Sequence, residues 1–254
     1  MLATLLPGEV FSILLIFVRV GATMMLMPGV GDPYVAMRIR LLLALLMALL
    51  VAPVLAPVLP PLPDAPAAML LLILGEAVVG VFLGSLARIL MGALTTAGMI
   101  IAMSSTLANA LVNDPTAAQQ GSVVGSFLIV VALLVVFSLN LHYLLLIALV
   151  DSYALFVPGQ PLPVGDLSRV ITEVVAKSFL LAFQLSAPFA AVALIFNLGV
   201  GLLSRLMPQV QIFFVAMPLQ IAVAFIVLFF SLPVMMRWFA TNFEETIMPF
   251  VSRF

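Results

Sequence analysis

A chain of 254 residues that is 65% hydrophobic and only 7% charged, with a mean hydropathy of +1.38, cannot clothe itself in a polar surface, so it reads as a membrane or membrane-complex protein. Nine lysines and arginines against ten acids leave a net charge of −1, too little basic surface to hold nucleic acid. With no cysteine and a single histidine, His142, the chain has no disulfides, thiolate centres, thiol nucleophiles or multi-histidine metal sites, and no cofactor is expected.

Apolar runs at about 10–27, 41–59, 68–103, 123–150, 174–204 and 210–236 are helix-like in length and predict an all-α protein of long, kinked apolar helices. The first stretch has no basic n-region, carries Glu9 and Arg19, and reads as mature structure rather than a signal peptide. Between the runs lie PGVGDP (28–33), APVLPPLPDAP (56–66), a polar stretch from 104 to 122, VPGQPLPVGD (157–166) and a corner from Arg205 to Pro208, all rich in helix-ending residues. At a rise of about 1.5 Å per residue, 68–103 and 174–204 are longer than a bilayer core of about 30 Å. They either tilt and kink or are not ordinary spans. The basic residues, from Arg19 to Arg253, show no alternating loop bias, so the positive-inside rule gives no overall orientation. Arg19 and Arg88 lie inside apolar runs, where facing lipid would cost roughly 2.5 kcal/mol or more, and are expected to face protein.

In the third run Glu76, Gly80, Gly84 and Arg88 recur every four residues, an acid and a base separated by small residues on one helical face. Intrachain packing, packing against another subunit, and a proton or ligand site on Glu76 are the three readings of that row. The stretch 104–125, SSTLANALVNDPTAAQQGSVVG, holds a turn followed by a helix start at Asn113-Asp114-Pro115. Asp114 serves as a cap or Asx turn there, or as a pore-lining carboxylate; Leu107 and Leu111, four apart, form an apolar plug or anchor the loop. His142 reads as a buried, hydrogen-bonded histidine.

A second four-spaced row, Asn197, Gly201 and Arg205, leads into Pro208, which frees the Ser204 carbonyl; Gln209, Gln211 or Arg205 supplies a donor. Pro218 frees the Phe214 carbonyl in the same way, with Gln220 close by. No phosphate-binding loop, dinucleotide fingerprint, zinc helix or catalytic triad is present, and nothing points to an enzyme.

Several strings, in order, resemble the FliR family of the flagellar type III protein-export gate over nearly the whole chain. They are RVGATMMLMPGVGDPYVAMRIR (19–40), LGEAVVGVFLG (74–84), NDPTAAQQ (113–120), NLHYLLLIALVDSY (140–153) and APFAAVALIFNLGVGLLSRLMPQVQIFFVAMPLQI (187–221). The resemblance implies a non-enzymatic subunit of the bacterial inner membrane and flagellar basal body. Such a subunit assembles with FliP, FliQ and FlhB, and with membrane lipid around it, into the channel through which unfolded flagellar subunits leave the cytoplasm. It also implies a FliP-like portion, 1–170, followed by a FliQ-like helical hairpin, 171–254, within a conical assembly that largely rises above the membrane plane. Carried over by position, 104–120 is the plug that helps close the resting channel, with Ser104, Ser105, Leu107, Asn109, Leu111, Asn113, Asp114 and Pro115 in it. Asn197, Gly201, Arg205, Pro208, Gln209 and Gln211 belong to the hairpin corner, turning near 205–211, where FlhB contact and entrance closure are expected. The rival readings are the homologous injectisome subunit, SctT, and a small-solute or proton transporter using Arg19, Glu76 and Arg88.

Overall fold

A computed structural model describes residues 2–107, 122–206 and 212–251. Among these residues seven α-helices follow one another: α1 Leu2–Leu26, α2 Met37–Leu55, α3 Pro66–Ser104, α4 Val123–Ser138, α5 Leu141–Leu155, α6 Val164–Leu206 and α7 Ile212–Ile247. Short 3-10 turns follow α2 and α7, and there is no strand among the described residues. The chain is all-α. At about 1.5 Å per residue the 39 residues of α3 and the 43 of α6 run to roughly 58 and 64 Å, well past a bilayer core.

The boundaries differ from the apolar runs where hydropathy and helicity part company. Helix α6 starts at Val164, ahead of its apolar run, because its first turns, with Asp166, Arg169, Glu173 and Lys177, are polar but helical. Asp166 near its start and Arg205 near its end both suit the helix dipole. Helix α7 continues past its run to Ile247 through Arg237, Glu244 and Glu245. The run 123–150 is two helices, since Asn140 adopts a left-handed φ of 57°, which asparagine tolerates better than most residues. Pro53, Pro188, Pro218 and Pro233 lie inside helices without ending them.

The chain divides into two compact units. The first comprises Met1–Leu90, Val136–Val175 and Asn242–Phe254. Here α2 buries Ala44, Ala48, Val51 and Leu55, and Gly21 of α1 brings the two helices together at Ala44. Helices α1 and α3 pack more closely still. A Cβ on Gly80 would overlap the Arg19 carbonyl, and one on Gly84 would come within 2.7 Å of Leu26 Cβ and 2.8 Å of Thr23 O. The core holds Leu15, Ile16, Leu86 and Tyr153, and Phe82 meets Phe156 and Phe250 edge to face.

The second unit comprises Met91–Val135 and Ala176–Thr241, with Leu94, Ile101, Leu128, Leu181 and Phe239 in its core. Gly98 and Gly125 let α3 and α4 touch backbone to backbone. Ser122, just ahead of α4, donates its hydroxyl to Gly98 O at 2.9 Å and accepts from Gly125 N at 3.2 Å, acting as an N-cap and a cross-helix tie.

Candidate functional site

The polar centre of the first unit is Arg19, 1% exposed on α1. Its Nε donates to Glu76 Oε2 at 2.7 Å and its Nη2 to Glu76 Oε1 at 3.0 Å, a bidentate pair. Nη1 donates to Ser152 Oγ at 3.1 Å, and Nη2 also reaches the Phe156 carbonyl at 2.9 Å, at the C-terminal end of α5. The guanidinium carbon lies 3.8 Å from the centre of the Tyr153 ring. One side chain thus ties α1, α3 and the end of α5, and satisfies a carboxylate and a carbonyl that an apolar interior would otherwise leave bare. Gly80 makes it possible by letting α3 approach the Arg19 backbone. A cavity of about 330 Å³, lined by Arg19, Glu76, Gly75, Leu72 and the 156–162 loop, opens beside the pair.

Arg88 stands apart from this cluster and pairs with the chain at another place. Its side chain is 47% exposed, and its Nη1 donates to Asp32 Oδ1 at 2.6 Å, because three turns along α3 from Glu76 it has reached the 27–36 loop rather than an enclosed helix face. Asp32 also accepts from Gly29 N at 2.8 Å and from the Tyr34 hydroxyl at 3.0 Å. Burial by itself would raise the Asp32 carboxyl, but the hydrogen bonds from Gly29, Arg88 and Tyr34 outweigh it and hold the group below its ordinary value. Arg40 closes the loop from the other side, donating to Val35 O at 2.9 Å and Gly31 O at 3.3 Å.

At the end of α3, Ser104 is half-buried, and Ser105 is buried with its hydroxyl returned to Ile101 O at 2.7 Å. Thr106 takes a left-handed φ of 60°, uncommon for a β-branched residue. Leu107 lines an apolar cleft of about 590 Å³ with Ala102, Val123, Phe127, Phe225 and Phe229. Gln220 does not serve its own helix after Pro218; its Nε2 donates to Ser104 O at 2.8 Å, closing one of the carbonyls that the end of α3 leaves open. Asn109, Leu111, Asn113, Asp114 and Pro115 lie outside the described residues, as do Pro208, Gln209 and Gln211. Asn197, Gly201 and Arg205 are all exposed on the last turns of α6, which ends at Leu206 with α7 starting at Ile212. His142 departs from the expected hydrogen-bonded state: its Nδ1 is buried without a partner, the ring packing 4.9 Å from Phe137.

Sequence alone gives Glu76 no partner and does not single out Ser152, Tyr153, Asp32 or Ser122. An aspartate in a Pro- and Gly-rich turn, with arginines nearby, was the available signal for Asp32. The pairing of Arg19 with Ser152 across more than a hundred residues had none. No group of three or more metal-binding side chains occurs among the described residues.

Five helices among the described residues are long and apolar enough to cross a membrane, and the bent pair α4 and α5 together would make a sixth. With the Arg19–Glu76 pair buried inside and many leucines outside, the chain is a helical membrane protein with several helices able to span a bilayer. Residues 10–246 match the family of bacterial export proteins, family 1. The chain is 40% identical to the flagellar biosynthetic protein FliR of Caulobacter vibrioides over 88% of its own length and 89% of that protein, and 35% identical to FliR of Bacillus subtilis over 70% of each. It is 31% identical to FliR of Escherichia coli over 58% of this chain and 57% of that one. The chain belongs to the FliR family of bacterial export proteins.

Proposed function

We propose that this protein is a non-enzymatic subunit of the flagellar protein-export gate, assembling with FliP, FliQ and FlhB in the inner membrane at the flagellar basal body. There it forms and helps close the channel through which unfolded flagellar proteins are exported. The carrying observation is the family match across residues 10–246, with 40% identity over most of the chain to a flagellar biosynthetic protein. Helices too long for a bilayer, with apolar side chains still uncovered, support a chain completed by other subunits. The flagellar relatives favour this reading over the injectisome one. In it, 1–170 is the FliP-like portion, 171–254 the FliQ-like hairpin, 104–120 the plug and 205–211 the corner facing FlhB.

Deletion of the gene is expected to abolish motility and secretion of flagellar subunits, with restoration by the intact gene. The chain co-expressed with FliP and FliQ is expected to copurify with both. Retained motility, or a chain that purifies as a monomer untouched by FliP, overturns the reading.

A further inference from the structure

Helix α2 differs from the other candidate spans in combining the length of a bilayer core with a largely uncovered surface. With the 3-10 turn that follows it, the span Met37–Val58 is 22 residues, about 33 Å, against a core of about 30 Å. Helix α1 is of similar length but is buried over more of its span, where α2 and α3 pack on it, and α3, α6 and α7 are far longer. Only a narrow stripe of α2, Ala44, Ala48, Val51 and Leu55, is buried. Around the rest of the helix Leu42, Leu46, Leu50 and Val54 stand in the open, Leu50 at 72%. This surface carries no polar side chain between Arg40 and the end of the helix, so it offers a neighbour nothing but hydrocarbon.

The two ends of α2 are chemically unlike. At its start Tyr34 is 68% exposed, Met37 and Ile39 are exposed, and Arg38 is exposed with no hydrogen bond or ion pair among the described residues. Arg40 and Arg88 are both committed to holding the 27–36 loop. At its far end the 56–66 segment carries Asp64 and no basic residue. An exposed tyrosine beside an unpaired arginine at one end of a bilayer-length apolar helix matches the chemistry of the lipid interface, an amphipathic ring with a cation beside anionic phosphates. The basic bias toward that end assigns it to the cytoplasmic leaflet, whose anionic lipids attract such charges. The bounds of the span make this local bias readable, although the scattered basic residues of the whole chain gave no orientation.

We propose that α2 is the lipid-facing anchor of this protein, with its leucine surface against acyl chains and Arg38 on the phosphate of an anionic phospholipid in the cytoplasmic leaflet. This stands independently of the gate function. Because the chain has no cysteine, Leu46→Cys, Leu50→Cys and Val54→Cys can each carry a photoactivatable maleimide in the full-length protein in native membranes, with Ala48→Cys as the buried control. Phospholipid adducts are expected at the three exposed positions and none at the control; adducts to polypeptide at all three overturn the proposal in favour of a subunit interface. In a second arm the full chain is placed in bilayers of phosphatidylcholine containing phosphatidylglycerol. Arg38→Gln is expected to lower the enrichment of phosphatidylglycerol around the protein about fivefold, the equivalent of about 1 kcal/mol for one arginine at an anionic surface, and Arg38→Lys to preserve it. Unchanged enrichment in Arg38→Gln overturns the phosphate contact.

Discussion

Arg19 and Glu76 are both almost fully enclosed, so each depends on the other for the solvation that water no longer gives. Replacing one member leaves a bare charge inside the first unit, at a cost of about 3–5 kcal/mol, whereas replacing both with apolar side chains of similar volume removes the desolvation penalty together with the pair. Arg19→Ala is therefore expected to deplete the protein from membranes, and the double change Arg19→Met with Glu76→Met to recover most of the loss, as read by quantitative immunoblotting and thermal unfolding in detergent. Recovery would be incomplete, because Ser152 and the Phe156 carbonyl also lose a donor. Asp32 obeys the opposite logic at the protein's edge. Its folded carboxyl is held below the ordinary value, so its contribution is present above about pH 4 and is lost as the pH falls through and below that value. Hydrogen exchange at the Gly29 amide, which donates to Asp32, is expected to lose protection in that acid range, and Asp32→Asn to show weak protection at all pH values.

Close helix contact in this chain is bought with glycine, and the glycines are not equivalent. Gly80 and Gly84 sit against the α1 backbone, and Gly98 against Gly125, so a methyl at Gly80, Gly84 or Gly98 forces two helices apart; Gly92, inside the same helix, has nothing within 4 Å. Gly80→Ala and Gly98→Ala should each lower the thermal midpoint clearly, while Gly92→Ala should hold or raise it, by about 0.5–1 kcal/mol, through the better helix propensity of alanine. A spacing of four identified Gly80 and Gly84 from sequence, because a helical face is a local property. Gly98, Gly125 and Ser122 carried no such pattern, since their contact is made between helices separated by a polar segment. The same division runs through the polar residues. That Arg19 and Glu76 sit badly in lipid was legible from their neighbours, but which residue answers which was not, because pairing is set by helix packing across dozens of residues. The partner of Arg88 was hidden for a related reason: the row Glu76, Gly80, Gly84, Arg88 is continuous along α3, yet its far end emerges beside a loop whose fold the sequence did not reveal. The apolar runs located the helices, but the ends of α6 and α7 lay in polar sequence and only backbone hydrogen bonding marks them.

Taken whole, the chain separates the side chains that hold its own fold from those that its fold leaves uncovered. In the second unit Phe229 and Phe230 project together from α7, their rings edge to face at 5.4 Å, and Phe179, Phe183, Leu194 and Leu198 are likewise exposed on α6. Aromatic anchors of this kind carry much of the binding energy of protein interfaces, with truncation often costing 2 kcal/mol or more, while an exposed side chain with few contacts in its own chain changes folding by only about 0.5 kcal/mol. If the protein is a gate subunit, the double change Phe229→Ser and Phe230→Ser should leave its level in membranes near normal yet sharply reduce copurification with FliP and FliQ, together with motility. Arg19→Ala should give the reverse order of events, with the chain itself lost first and the complex lost only in proportion. If these phenylalanines instead face lipid, serine there disfavours membrane residence without touching partner binding, and the copurified fraction per molecule of chain stays constant. Measuring that ratio alongside the total amount separates assembly from folding, and it locates on one helix where this protein ends and its complex begins.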